Sequence, residues 1–152
     1  MTNLFKLTGI AIVLIGLVLS AINPVFADDS IGIIKVSKGS VQIKRGDQLQ
    51  PGPVGAKILQ SDTLVTGADG SAGITFIDNT LLSAGPNSVI VIDRFAFDST
   101  TYNGEFVTSV KSGTLSVVSG KIAKQSHTAM KVKTPTAILG VRGTEFLVRV
   151  ED

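Results

Sequence analysis

From residue 28 onward the chain is written in short runs where apolar and polar positions alternate, and no stretch keeps a helical period. Val41 and Ile43 share one face of such a run, with Gln42 and Lys44 on the other. Ala72, Ile74 and Phe76 alternate with small or polar neighbours. Near the end, Phe146, Val148 and Val150 alternate with Leu147 and Arg149. A period of two is the mark of strands with one buried face. The runs predict strands over 31–37, 41–44, 63–66, 71–77, 81–84, 88–92, 104–110, 113–118 and 146–150. Phe76, Phe106 and Phe146 all fall on the inward phase.

Turn chemistry separates these runs. Lys38-Gly39, Ala68-Asp69-Gly70, Asp78-Asn79 and Gly85-Pro86-Asn87 supply residues that tolerate left-handed backbone or preset a turn. Arg45-Gly46-Asp47 reads as a turn in preference to an integrin-type ligand. Gln50-Pro51-Gly52-Pro53 reads as a loop, because proline cannot donate to a strand ladder. Residues 93–102 are less regular, and the polar segment 120–129 reads as a loop. Runs starting at 71, 81 and 88 have the spacing of an all-β fold. The pattern suits a β-solenoid-like stack or a rolled sandwich of short antiparallel strands, and leaves both open.

The first 27 residues differ in kind. Lys6 is the only charged side chain before Asp28, and the stretch from Leu7 to Ile22 is almost wholly apolar. Asn23-Pro24 breaks it, and Val25-Phe26-Ala27 offers a signal-peptidase site. Its apolar core of about 15 residues is short for a bilayer span of roughly 20. The expected organisation is a signal peptide over 1–27 and one domain over 28–152, exported to the periplasm or beyond, with no membrane span after cleavage. An uncleaved anchor is the alternative. Removal of Lys6 from the 14 Lys and Arg leaves 13 against 12 acids, a formal charge of +1. With basic residues scattered, nothing points to nucleic acid. The chain has no cysteine, so an exported domain must rest on its core.

Candidate chemistry is sparse. His127 is the only histidine, and no ligand-like cluster of acids accompanies it, so neither metal nor cofactor is expected. No G-x-S-x-G or phosphate-binding glycine loop is found. Asp62, Asp78, Asp93 and Asp98 flank strand ends, where aspartate completes turns. Phe95, Phe97 and Tyr102 are read as packing residues in the irregular segment. The expectation is a protein that is not an enzyme.

The most distinctive run is KTPTAILGVRGTEF, residues 133–146. Thr134-Pro135 precedes a short apolar run. Gly140 and Gly143 then bracket Val141-Arg142, where the backbone needs positive φ or close approach. Thr144 follows. Arg142 has two readings: a contact for a partner, or a guanidinium that closes the corner by capping carbonyls or pairing with Glu145. The second is preferred, since five fixed donors suit that task. Gly143→Val is expected to cost roughly 2 kcal/mol or more, from strain plus crowding.

This run resembles the signature of the FecR family. Gly39-Ser40-Val41, the Asp62–Gly67 stretch (DTLVTG), Ile74–Leu82 (ITFIDNTLL), Lys111-Ser112-Gly113 and Val118-Ser119-Gly120 also match that family's pattern, with Asn79 at a position usually glycine. The likeness runs from about Lys38 to Val150. It implies an exported β domain. Signalling members carry a cytosolic anti-sigma segment, a membrane helix, and a C-terminal domain that touches a TonB-dependent transporter. Here about six residues precede the apolar stretch and the chain stops at Asp152, so the fold and location are expected to carry over and the regulator mechanism is not. The resemblance implies binding of a protein or envelope component, in cell-surface signalling or iron-uptake regulation. The alternative is a structural subunit assembling through strand edges, and a homo-oligomer is left open.

Overall fold

The computed structural model describes residues 29–143 and 145–151. The expected signal peptide and Thr144 lie outside the described residues. Among the described residues twelve strands form: β1 (Gly32–Lys38), β2 (Val41–Arg45), β3 (Gln48–Pro51), β4 (Lys57–Ile58), β5 (Thr63–Thr66), β6 (Ser71–Phe76), β7 (Leu81–Ala84), β8 (Val89–Phe97), β9 (Gly104–Val118), β10 (Met130–Lys133), β11 (Ile138–Val141) and β12 (Glu145–Val150). One short helix, α1 (Lys121–Gln125), lies between β9 and β10. Among the described residues no helix is long and apolar enough to cross a membrane.

The strands make one antiparallel sheet curled into a half-barrel, the rolled form of the two alternatives. The exception to antiparallel pairing is β10 against β9. Strand β9 is the spine. Its first half pairs with β8 on one flank and β10 on the other. Its second half pairs with β7 and β12. The first half-sheet runs β3-β2-β5-β8-β9-β10-β11 and the second β4-β1-β6-β7-β9-β12.

The sheet folds over at Gly113, whose φ of +85° suits glycine alone without strain. A Cβ there would meet the Oγ of Ser88 at 2.3 Å and its Cα at 2.5 Å. Ser88 is buried at the matching kink between β7 and β8. Its hydroxyl donates to the Gly85 carbonyl at 2.9 Å and accepts the Thr114 N–H at 3.0 Å. Both flanking strands therefore bend together around one serine. Residues 104–110 and 113–118, expected as two strands, are one strand whose partners change at this joint.

Closing the sheet on itself buries the inward phase. Phe76 of the second half-sheet meets Phe95 and Phe106 of the first, with ring centroids 5.4 and 4.7 Å apart. Each such ring contributes about 2–3 kcal/mol of burial. Phe146 packs half-buried against this core, as its phase predicts.

Three local expectations change. Pro51 ends strand β3 instead of lying in a loop; β3 is an edge strand, where a missing N–H costs no ladder bond. Residues 93–97 continue β8, with a register shift between Ile92 and Arg94 that breaks the alternation. The polar segment after Gly120 holds α1, whose Ile122 and Ala123 are fully buried. No local side chain caps this helix. Asp78, buried 44 residues earlier in the chain, accepts the Ile122 N–H at 3.3 Å, the Thr80 N–H at 3.0 Å and the Thr80 hydroxyl at 2.8 Å.

Candidate functional site

Sequence reasoning places the site at the β10–β12 region, and the structure separates its residues by role. Thr134 and Pro135 open the tight turn of the β10–β11 hairpin. The Thr134 N–H donates to the Ala137 carbonyl at 2.8 Å, and its hydroxyl accepts the Ala137 N–H at 3.0 Å. Pro135 occupies the second turn position, where its fixed φ fits. Gly140 lies within β11, opposite Lys131, and a Cβ on it would come 3.0 Å from the His127 carbonyl oxygen. Gly143 adopts φ +56°, yet a Cβ there would meet nothing closer than Lys124 Cγ at 3.8 Å. The two glycines serve different needs, close approach for one and a left-handed backbone for the other. Crowding at Gly143 is absent.

Arg142 is exposed. Its Nη1 lies 3.3 Å from Nε2 of His127, also exposed. Among the described residues it makes no ion pair with Glu145 and caps no carbonyl. The guanidinium thus stands at the surface beside an imidazole.

Around it the two half-sheets end. Among the described residues β11 pairs only with β10, and β12 only with β9, so each presents one open strand edge to them. The Arg142-Gly143 corner joins these edges. A shallow groove of about 300 Å³ runs between them, lined by Leu139, Val141, Arg142, Phe146, Leu147 and Val148. Val141 and Val148 form its buried floor. Leu147 and Leu139 stand 66% and 42% exposed on its rims, and Ile138, next to Leu139 on β11, is 67% exposed. That concentration of exposed apolar side chains on open strand edges is the feature that pattern reading missed. The alternation assigned Leu147 outward, but did not show that β11 and β12 both lack a second neighbour.

The candidate aspartates are structural. Asp62, 2% exposed at its side chain, holds Arg45 through two contacts, Nε–Oδ1 at 2.8 Å and Nη2–Oδ2 at 2.7 Å, and also accepts the Leu59 N–H at 2.8 Å. The hydrogen bonds that Arg45 donates to Asp62 raise the guanidinium pKa above its ordinary value. Asp93 accepts the Ser109 hydroxyl. The N–H groups of Thr100 and Thr101 hold Asp98 below its ordinary value in the β8–β9 turn. Among the described residues no group of three or more metal-ligating side chains converges.

Phe95 belongs to the core trio. Phe97 stacks on Tyr102, and Lys121 Nζ sits 4.5 Å over the Tyr102 ring, so these aromatics are occupied by one another. The family described as FecR protein matches residues 62–152, more than half of the chain. This chain belongs to the FecR family. The match begins at Asp62, at the head of β5, so the weaker likeness before it, at Gly39–Val41, falls outside the matched region. It takes in the whole β9 spine and the β10–β12 edge. FecR domains are generally non-catalytic, protein-interacting sensor domains, periplasmic in bacteria. Neither a curated protein nor a solved structure matches this chain.

Proposed function

We propose that this FecR domain is an exported, non-enzymatic binding module that engages a protein or envelope component through its β11–β12 edge, in the service of cell-surface signalling. One observation carries this reading: two open strand edges converge on an exposed guanidinium and enclose an apolar groove. Strand edges supply main-chain donors and acceptors to an extended segment, and the groove receives its side chains. Arg142 adds a charged contact that the fold itself does not use. Location in the periplasm, or release from the cell, follows from the leader read in residues 1–27. A second reading, assembly of copies through the same edges, draws on the same exposed strands.

Site-specific photocrosslinking in intact cells tests the proposal. A crosslinker at Leu147 should yield one discrete adduct with a second protein or an envelope component, and Arg142→Glu should abolish it. A crosslinker at Asp47, in the β2–β3 turn at the opposite edge of the first half-sheet from β11, should yield none. Equal labelling from both positions would overturn the binding site. A ladder of self-adducts from position 147 would favour assembly in its place.

A further inference from the structure

The two open edges differ in the main-chain groups they present. On β9 the Thr114 N–H donates to the Ser88 hydroxyl at 3.0 Å and its carbonyl accepts the Gly85 N–H at 3.0 Å, so both point to the β7–β8 flank. Main-chain groups alternate sides along a strand. Leu115 and Val117 therefore point to β12 and bond their partners Val148 and Phe146. The N–H and C=O groups of Glu145, Leu147 and Arg149 face the opposite way, with no strand to meet them among the described residues. On β11 the Thr134 N–H bond to the Ala137 carbonyl at 2.8 Å fixes the phase, and Ile138 and Gly140 are the residues whose groups face outward. Of the two edges β12 is the longer and the less obstructed, since the His127 carbonyl crowds Gly140 on β11.

We infer that β12 receives an extended segment of a partner protein as an added strand, which sets two apolar side chains into the groove and a carboxylate at the Arg142 corner. The inference rests on the binding reading above and names the chemistry of the partner. Spacing, shape and charge each point to that pattern. The free groups on β12 recur at every second residue, about 6.6 Å apart, which is the repeat of another strand's backbone. A glycan or an acyl chain carries no alternating donors and acceptors at that repeat.

The groove matches a strand's side-chain spacing. Phe146 and Val148 lie on the inward phase of β12, so a strand laid beside it places alternate side chains over them. The groove volume of about 300 Å³ suits roughly two branched side chains. On the outward phase Leu147 stands between Glu145 and Arg149. The middle of this edge therefore lacks the charge that defends strand edges against pairing.

Charge sets which end of the segment carries the acid. Lys124 lays its stem against the corner, its Cγ 3.8 Å from where a Gly143 Cβ would stand. Arg142 and Lys124 thus place two cations beside the acid Glu145, and among the described residues none of the three is in an ion pair. His127 adds a further polar nitrogen against Arg142. At the far end of β12, Arg149 and Glu151 line a depression of about 210 Å³ with Thr134 and Thr136, and there the charges balance. The corner is the end left in want of an anion. A carboxylate in the same phase as the two apolar side chains, one step beyond them, supplies it.

Amide NMR of the exported chain, titrated with synthetic peptides, tests this. The probe is an acetylated peptide of about eight residues, valine and threonine in alternation with one glutamate in the valine phase. Its control carries lysine in place of that glutamate. The glutamate peptide should bind at least about fivefold more tightly, and Arg142→Glu should reverse the order. Circular dichroism establishes that the variant is folded. Saturating peptide should slow solvent exchange of the Leu147 and Arg149 amides at least about tenfold, and leave Phe146 and Val148, already bonded to β9, within about twofold. No binding at about 1 mM peptide, equal binding of the two peptides, or protection at Ile138 and Gly140 in place of Leu147 would each overturn the inference. Any of these with the adduct at position 147 retained would leave the binding reading standing, whereas loss of the adduct as well would remove both.

Discussion

Two glycine corners turn this chain between its half-sheets, and they are built on opposite principles. At Gly113 the backbone is left-handed and sealed, with Ser88 atoms filling the space a side chain would need. At Gly143 the backbone is also left-handed, but a side chain there would meet Lys124 Cγ at 3.8 Å, an ordinary contact without a clash. The first corner is where the fold is held. The second carries the family's most recognisable residues and is scarcely packed at all. A motif that stands out in the sequence is thus not the place where the fold is most tightly constrained, and Arg142 beside it makes no contact that folding requires beyond His127.

Substitutions should separate the corners by size of effect. Gly113→Val is expected to cost about 4 kcal/mol or to prevent folding, since strain adds to a clash with backbone and a buried hydroxyl. Urea melts of the purified domain check this; a loss under about 1 kcal/mol would erase the contrast. Asp62→Ala, which breaks a contact elsewhere in the interior, should cost about 2 kcal/mol, because the freed Arg45 is 40% exposed and can rehydrate. Gly143→Val should cost only about 1 kcal/mol, from left-handed strain without the crowding expected on sequence grounds. Gly143→Asn should recover much of that in the same melts. Arg142→Ala should leave stability within about 0.5 kcal/mol of the parent while removing the adduct at position 147. A large stability loss there would return Arg142 to a structural role.

Much of the fold was legible because burial on one face imposes a period of two. Val41, Ile43, Ala72, Ile74 and Phe76 all point inward as their phase requires. Turns declared themselves by residue type: Asn79 and Asn87 adopt φ of +68° and +51°. Where the reading failed, the deciding partner was far away in sequence. Helix α1 is held by Asp78 rather than by a local cap, so no signal lies near it. Pro51 is tolerated because β3 is an edge, a fact of topology. The bend in β9 is one strand and not two because β7 and β8 both run along its flank. At the candidate site, Thr134, Pro135, Gly140 and Gly143 showed their turn chemistry in the sequence. The open edges of β11 and β12 did not, because a missing neighbour leaves no mark on a strand's own residues.

Strand β9 is shared by both halves of the barrel. Neither half can therefore melt while the other keeps its ladder intact, and the deepest amides along Phe106–Val117 should exchange with solvent together, at the rate of global opening. The spine takes its partners from both sides of itself in the chain, β7 and β8 before it and β10 and β12 after it, so its ladder is complete only when the C-terminal strands have docked. Refolding on the millisecond-to-second scale, without a fast half-formed phase, is the kinetic signature of such a shared beam.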